Sequence, residues 1–326
     1  MTNALDIDNT QRKVQIATCV FALLGLLVPN SLVGHVLPIF GVLLILLGVP
    51  HGAGDYMLSK QLTNLSGTVF SPFKYILGYL FSMVSYIAIW AFEPLIAFGA
   101  FVLLSAYHFG QSNWANIHFP SKLVQVAIML IWGLLIIGVP VLLHFDQAGI
   151  IISEIKVGDF QLSAITRAVL IFLLIFTNIG IIIHLNHAQI LSSKEFKQEI
   201  GKILLLSMLF FTTPLLVGFG VYFVLWHSFE AMNHQVSLIK TIKPGYRMRD
   251  YLLQSLPLTL VSFTGLGMLL YFFGDAFNKG QNMGALFLFI AVITVPHAML
   301  MEWLYRVRKP LNAKPLSVGS TSEQPT

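Results

Sequence analysis

The sequence predicts an all-α fold: a polytopic membrane bundle of about ten helices (eight to ten), with both termini cytoplasmic. Three observations lead there. Hydrophobic residues make up 56% of the 326 positions and charged residues only 10%, whereas a soluble domain carries about 25% charged residues. The mean hydropathy is +0.79. Apolar runs of about 20 residues recur along the chain, long enough to cross a bilayer core. Lys and Arg punctuate those runs at alternate ends, as the positive-inside rule requires. The spans are helical because lipid offers backbone N–H and C=O groups no partner.

In chain order the spans read 13–33, 36–59, 73–93, 95–118, 122–143, 162–186, 198–217, 219–240, 250–274 and 282–305. The first follows Arg12 and Lys13, as a signal peptide would, but no small-residue cleavage site comes after it, so it is kept as a span. The stretch FTTPLLVGFGVYFVLWHSFEAMNHQ is divided near Pro214, Gly218 and Gly220, giving a tight hairpin. With that division, sixteen of the 19 Lys and Arg fall at cytoplasmic ends. Lys156 and Lys279 fall outside, and Arg167 lies within a span. Treating 198–227 as one span without a return helix would move the Lys243–Arg249 cluster outside. Residues 1–12 form an N-terminal tail and 13–305 a single transmembrane domain. Residues 306–326 form a cytoplasmic tail whose end, PLSVGSTSEQPT, has the composition of a disordered segment.

The net charge of +5 does not point to nucleic acid, because the basic residues sit singly between apolar runs. Cys19 is the only cysteine, which excludes an intrachain disulfide and a thiolate metal cluster.

Ten histidines are present. His118, His144, His184 and His187 fall at span ends and His35 in an outer turn, where polar groups cost little. His51, His108, His227, His234 and His297 lie inside spans, where ionisable groups are expensive. Taken singly, such a histidine is more often one end of an interhelical hydrogen bond than a ligand. Taken together they read differently. Spans 36–59, 95–118, 219–240 and 282–305 all run from outside to inside, and each carries one of His51, His108, His227 and His297 in its middle or inner part. Four parallel helices can thus set four imidazoles at one level, and imidazole is a usual ligand of zinc, iron and copper.

Neighbouring residues fit a metal site. Asp55 lies four residues after His51, on one helix face, and could orient its imidazole from behind. Glu230 lies three residues after His227 and could do the same or ligate directly. A buried interhelical hydrogen bond is the plain alternative for both carboxylates. Glycines 48, 52 and 54 permit close backbone approach. Pro50 and Pro296 each precede a histidine, freeing a carbonyl one turn back. His234 is seven residues from His227, about 10.5 Å along the axis, too far for both to reach one metal. It stands as a reserve ligand.

These segments together resemble the Brp/Blh family of bacterial and archaeal β-carotene 15,15′-dioxygenases. The family's PHGxxD motif is similar to Pro50-His51-Gly52-Ala53-Gly54-Asp55, and its HFG motif to His108-Phe109-Gly110. A His-Ser motif is similar to His227-Ser228, and a C-terminal Pro-His to Pro296-His297. The resemblance runs from about residue 40 to 305. It implies a multi-pass inner-membrane enzyme that uses non-haem Fe(2+) and O2 to cleave β-carotene into two retinals. It also implies iron ligands at His51, His108 and His227, and a microbial rhodopsin as a possible retinal acceptor. Two positions depart from the family pattern. A second histidine four residues after the His-Ser histidine is here Ala231, and an acidic residue after HFG is here Asn113. The fourth ligand is then His297 or His234. The competing readings are a carotenoid or retinoid binder without cleavage activity, and an ion-coupled transporter using the intramembrane His and Asp. The spaced histidine boxes of membrane desaturases do not occur.

Overall fold

A computed structural model describes residues 2–28, 36–43, 48–65, 68–114, 117–273 and 283–313, and every regular element among them is a helix. The first elements are α1 (Thr2–Leu27), α2 (Val36–Leu43), α3 (Val49–Ala53) and α4 (Asp55–Leu65). They are followed by α5 (Pro72–Phe92), α6 (Pro94–Trp114), α7 (Lys122–Leu143), α8 (Phe145–Glu154), α9 (Ala164–His187) and α10 (Ser193–Thr212). Next come α11 (Leu215–Val221), a π-helix (Tyr222–Ser228), α12 (Phe229–Ile242), α13 (Met248–Phe273) and α14 (Met283–Ala313).

Six helices are long and apolar enough to cross a membrane: Pro72–Phe92, Pro94–Trp114, Lys122–Leu143, Ala164–His187, Leu215–Thr241 and Met283–Trp303. They answer to six of the predicted spans. Their outer faces carry large exposed apolar side chains, among them Phe81, Val84, Phe172 and Phe176, the surface of a protein solvated by lipid.

The other four expected spans take a different form. The 36–59 span is interrupted: α3 ends at Ala53 and α4 begins at Asp55, with Gly54 between them. Its residues 44–47 lie outside the described residues. The first helix starts at Thr2, within the expected tail, and ends at Leu27. The 198–217 span ends at Thr212, because Pro214 cannot continue a helix and pushes Thr213 into an extended conformation (φ −117°, ψ 151°). The expected break thus falls at Thr213–Pro214, and Gly218 and Gly220 lie inside α11. The 250–274 span is α13, with Pro257 inside it. Helix α14 runs on to Ala313, into the expected tail; the stretch read as disordered, 315–326, lies outside the described residues, as does His35.

Local sequence sets the helix starts. The side chains of Ser71, Ser121, Ser163 and Ser192 each accept from a backbone N–H three residues on, the N-cap bond that satisfies an otherwise orphaned donor. Glu195 completes a capping box with Ser192. Packing at the centre depends on glycine. A Cβ on Gly110 would strike the backbone of Met129, and a Cβ on Gly133 would strike the backbone of Ala106. Helices α6 and α7 therefore touch backbone to backbone, as small residues allow in membranes. Around that crossing, Trp132, Leu135, Ile136, Leu206 and Phe210 form the main core. The indole N–H of Trp226 donates to Thr18 Oγ1 at 2.8 Å, tying the π-helix to α1.

Candidate metal centre

Four helical segments deliver the four histidines. His51 comes from the short α3, His108 from α6, His227 from the π-helix and His297 from α14. They are 2%, 3%, 2% and 7% exposed. The imidazoles form a closed ring of edge-to-face neighbours. Centroids lie 5.2 Å apart from His51 to His227 and 4.8 Å from His227 to His108. From His108 to His297 the separation is 5.0 Å, and from His297 back to His51 it is 4.7 Å.

One nitrogen from each ring lies within 4.8 Å of the others. Ligands about 2.1 Å from a metal lie roughly 3 to 4 Å from one another, so the four nitrogens stand at or slightly outside ligand spacing. His108 Nε2 and His227 Nε2 are 3.2 Å apart. His51 Nδ1 and Nε2, His108 Nδ1, His227 Nδ1 and His297 Nε2 are buried without a hydrogen-bond partner among the described residues. Orphaned buried nitrogens are costly; a cation at the centre would relieve that cost at His51 and His297 and give the facing Nε2 atoms of His108 and His227 a common partner. The donor set, four nitrogens with no thiolate, suits iron, zinc or copper.

Local structure explains each placement. The Tyr251 hydroxyl lies 2.7 Å from Gln235 Oε1 and 3.1 Å from the carbonyl oxygen of His51, its one proton facing these two acceptors. Gly54 leaves room for that ring: a Cβ there would overlap the Tyr251 hydroxyl. The π-helix bears its wider turn over the residues that carry His227, a form often found at functional sites. Phe223 stacks on His227 at 5.6 Å and 26°, Phe219 stacks on Phe223, and Phe109 meets His227 edge-on at 4.8 Å. Aromatic rings thus wall one side of the ring of histidines.

Asp55 sits elsewhere than its spacing suggested. Both its oxygens lie 2.9 Å from Nδ1 of His297, and not of His51. Gly54 keeps a helical conformation (φ −68°, ψ −15°), so Asp55 stays one turn after His51, and spacing alone does not choose between the two imidazoles. The Asp55 carboxylate instead crosses to α14 and leaves Nε2 of His297 facing the other rings. Glu230 is also displaced from the expected role. It lines a small chamber with Phe109, Ser112, Asn113, Trp132, Leu206, Tyr222 and Trp226, and no hydrogen bond joins it to the four histidines among the described residues. His234 stands outside the group of four.

Asn113 occupies a polar cluster next to that chamber. Its amide donates to Glu199 Oε2 at 3.0 Å and accepts from Lys202 Nζ at 2.9 Å, while Lys202 pairs with Glu199 at 2.7 Å. One lysine is already balanced by Glu199, so an amide satisfies both neighbours where a further carboxylate would face Glu199.

Sequence reasoning passed over Gln111 and Glu302. Gln111 Nε2 donates to Glu302 Oε2 at 2.5 Å, and the Tyr107 hydroxyl donates to the same oxygen at 2.8 Å. The signal was available: Glu302 is a carboxylate within an apolar run, five residues after His297.

Comparison with known proteins places these features in a family context. The family model described as beta-carotene 15,15′-dioxygenase matches residues 42–305. The chain is 25% identical over 287 residues to a Halobacterium salinarum protein named "Probable beta-carotene 15,15′-dioxygenase Blh", covering 81% of this chain and 83% of that one. It is 23% identical over 265 residues to the "Beta-carotene 15,15′-dioxygenase" of uncultured marine bacterium 66A03, covering 81% of this chain and 92% of that one. No solved structure matches.

Proposed function

The chain belongs to the beta-carotene 15,15′-dioxygenase family, and from that membership we propose that it cleaves the central 15,15′ double bond of β-carotene with O2, giving two all-trans-retinal. One C=C bond and one O2 are consumed and two C=O bonds form. The reading assigns His51, His108, His227 and His297 as ligands of a non-haem ferrous iron, with His297 standing in for the histidine that Ala231 lacks. The observation that carries it is the convergence of four buried imidazoles, each with an unpartnered nitrogen, inside a family of carotenoid oxygenases. Iron bound there would supply the O2 chemistry that a polyene and side chains cannot.

The chain's own residues have definable tasks. Asp55 accepts from Nδ1–H of His297 and so holds Nε2 toward the other rings. Phe109, Phe219 and Phe223 keep water from the His227 side. The long apolar helices set the centre within the bilayer, where a carotenoid dissolves and from which it enters laterally. The proposal includes a multi-pass protein of the cell (inner) membrane, with ten spans and both termini cytoplasmic, that hands retinal to a microbial rhodopsin.

The test is retinal, measured by chromatography, in β-carotene-producing cells expressing the chain, beside a His51→Ala control, with iron measured in the purified protein. Retinal that needs the intact histidine supports the proposal. Carotene left intact by folded, iron-loaded protein refutes it. A non-cleaving carotenoid binder or an ion-coupled transporter would then account for the same residues.

A further inference from the structure

We propose that Gln111 is a positioning residue for His108, locked in one amide orientation by Glu302. The inference deepens the iron reading above and rests on it. His108 turns Nε2 toward His227 Nε2, 3.2 Å away. That leaves Nδ1 behind the ring, buried and without a hydrogen-bond partner among the described residues. A neutral imidazole that offers its lone pair at Nε2 carries its proton at Nδ1, so this position needs an acceptor.

Gln111 lies three residues on along α6, on the same face, and is 3% exposed. Its Nε2 is committed to Glu302 Oε2 at 2.5 Å, and its Oε1 is likewise buried without a partner among the described residues. An orphaned acceptor and an orphaned donor thus sit one turn apart on one helix face, and a bond between them would satisfy both.

Glu302 decides which way the amide points. An ionised carboxylate only accepts, and Oε2 already accepts from the Tyr107 hydroxyl at 2.8 Å. A flipped Gln111 would set its carbonyl oxygen against that carboxylate and its NH2 against the donor face of His108. Glu302 therefore fixes the amide, and the amide fixes the His108 tautomer. The arrangement parallels Asp55 behind His297, except that the acceptor touching the ring is neutral and the carboxylate stands one residue further back. Because Glu302 shares α14 with His297, the same bonds also hold α14 against α6.

The test uses full-length protein in detergent, stripped of metal and reloaded with ferrous iron. Iron affinity is read by chelator competition, and the electron paramagnetic resonance spectrum of the nitric oxide adduct is recorded. Gln111→Met keeps the length but removes the acceptor, and it should weaken iron binding about 10- to 100-fold and change the spectrum. The double variant Gln111→Glu, Glu302→Gln reverses donor and acceptor between the two positions while still offering His108 an oxygen. It should recover affinity and spectrum. Wild-type affinity and spectrum in Gln111→Met would overturn the proposal. Should Gln111→Met not fold, a folded double variant with weak binding and an altered spectrum would overturn it equally. Wild-type protein that binds no iron would instead sink the underlying metal reading.

Discussion

Replacing Asp55 by Asn tests which histidine the carboxylate serves. Asp55 is 1% exposed, and both its oxygens lie 2.9 Å from Nδ1 of His297. Asparagine keeps one acceptor oxygen and the shape but removes the charge, and its NH2 cannot receive the imidazole proton. Loss of a partner behind a metal-bound histidine costs about 10- to 100-fold in metal affinity, or about 1.4 to 2.7 kcal/mol. Asp55→Asn should fall near the lower bound, and Asp55→Leu, which leaves Nδ1 unpaired, near the upper. The assay is iron affinity of purified protein by chelator competition, in a double-mutant cycle. In a His297→Ala background, Asp55→Asn should have almost no further effect, because the group it supports is gone. In a His51→Ala background it should keep its full effect. The reverse pattern would show that the carboxylate acts on His51 and refute the assignment drawn from these distances.

Four further outcomes are expected. Gly133→Val should abolish folded protein or cost about 1 to 3 kcal/mol by overpacking, since its side chain would meet the Ala106 backbone; yield and unfolding temperature in detergent measure this. Thr18→Val removes the acceptor of the Trp226 indole and should cost about 1 to 3 kcal/mol, read as an earlier unfolding transition. Lys202→Met leaves Glu199 buried without its cation and should cost about 3 to 5 kcal/mol, with Lys202→Met, Glu199→Leu recovering much of the loss. The hydroxyl and backbone N–H of Ser192 hold the Glu195 carboxyl below the ordinary glutamate range. A lowered folded pKa means stability present above the unfolded value, about 4.3, and lost as pH falls through the folded one. Ser192→Ala should therefore destabilise by about 1 kcal/mol at neutral pH, and the gap between variant and wild type should narrow in acid, where the carboxylate's share is lost and the cap to the Glu195 N–H remains.

The helices were legible in the sequence where apolar length alone decides them. Pro72–Phe92, Lys122–Leu143 and Ala164–His187 follow the apolar runs to within a residue or two, because in lipid a helix is the one local solution for an unpaired backbone. The sequence failed where tertiary contacts override that rule. Nothing in GVPHGAGD announces which imidazole Asp55 serves, since that depends on His297, 242 residues on, arriving from α14 within 2.9 Å of the carboxylate. The same holds for α8, whose short run Phe145–Glu154 is too brief to span and was not anticipated.

The two family departures show how far residue identity can mislead without neighbours. Asn113 read in isolation is a lost carboxylate. Set between Glu199 and Lys202 it is a matched amide, because an acid there would set a second carboxylate beside Glu199 around one lysine. Ala231 read in isolation is a lost ligand. It lies buried, 3% exposed, one turn after His227, while the ring of four imidazoles closes through His297 on another helix. A ligand set is a property of converging helices and not of one motif, so a histidine can leave α12 and its place be taken from α14 while the number of nitrogens stays at four. If that is what happened here, Ala231→His should restore part of the iron affinity lost in His297→Ala. A double variant that folds but binds iron no better than His297→Ala alone would show that position 231 does not face the centre.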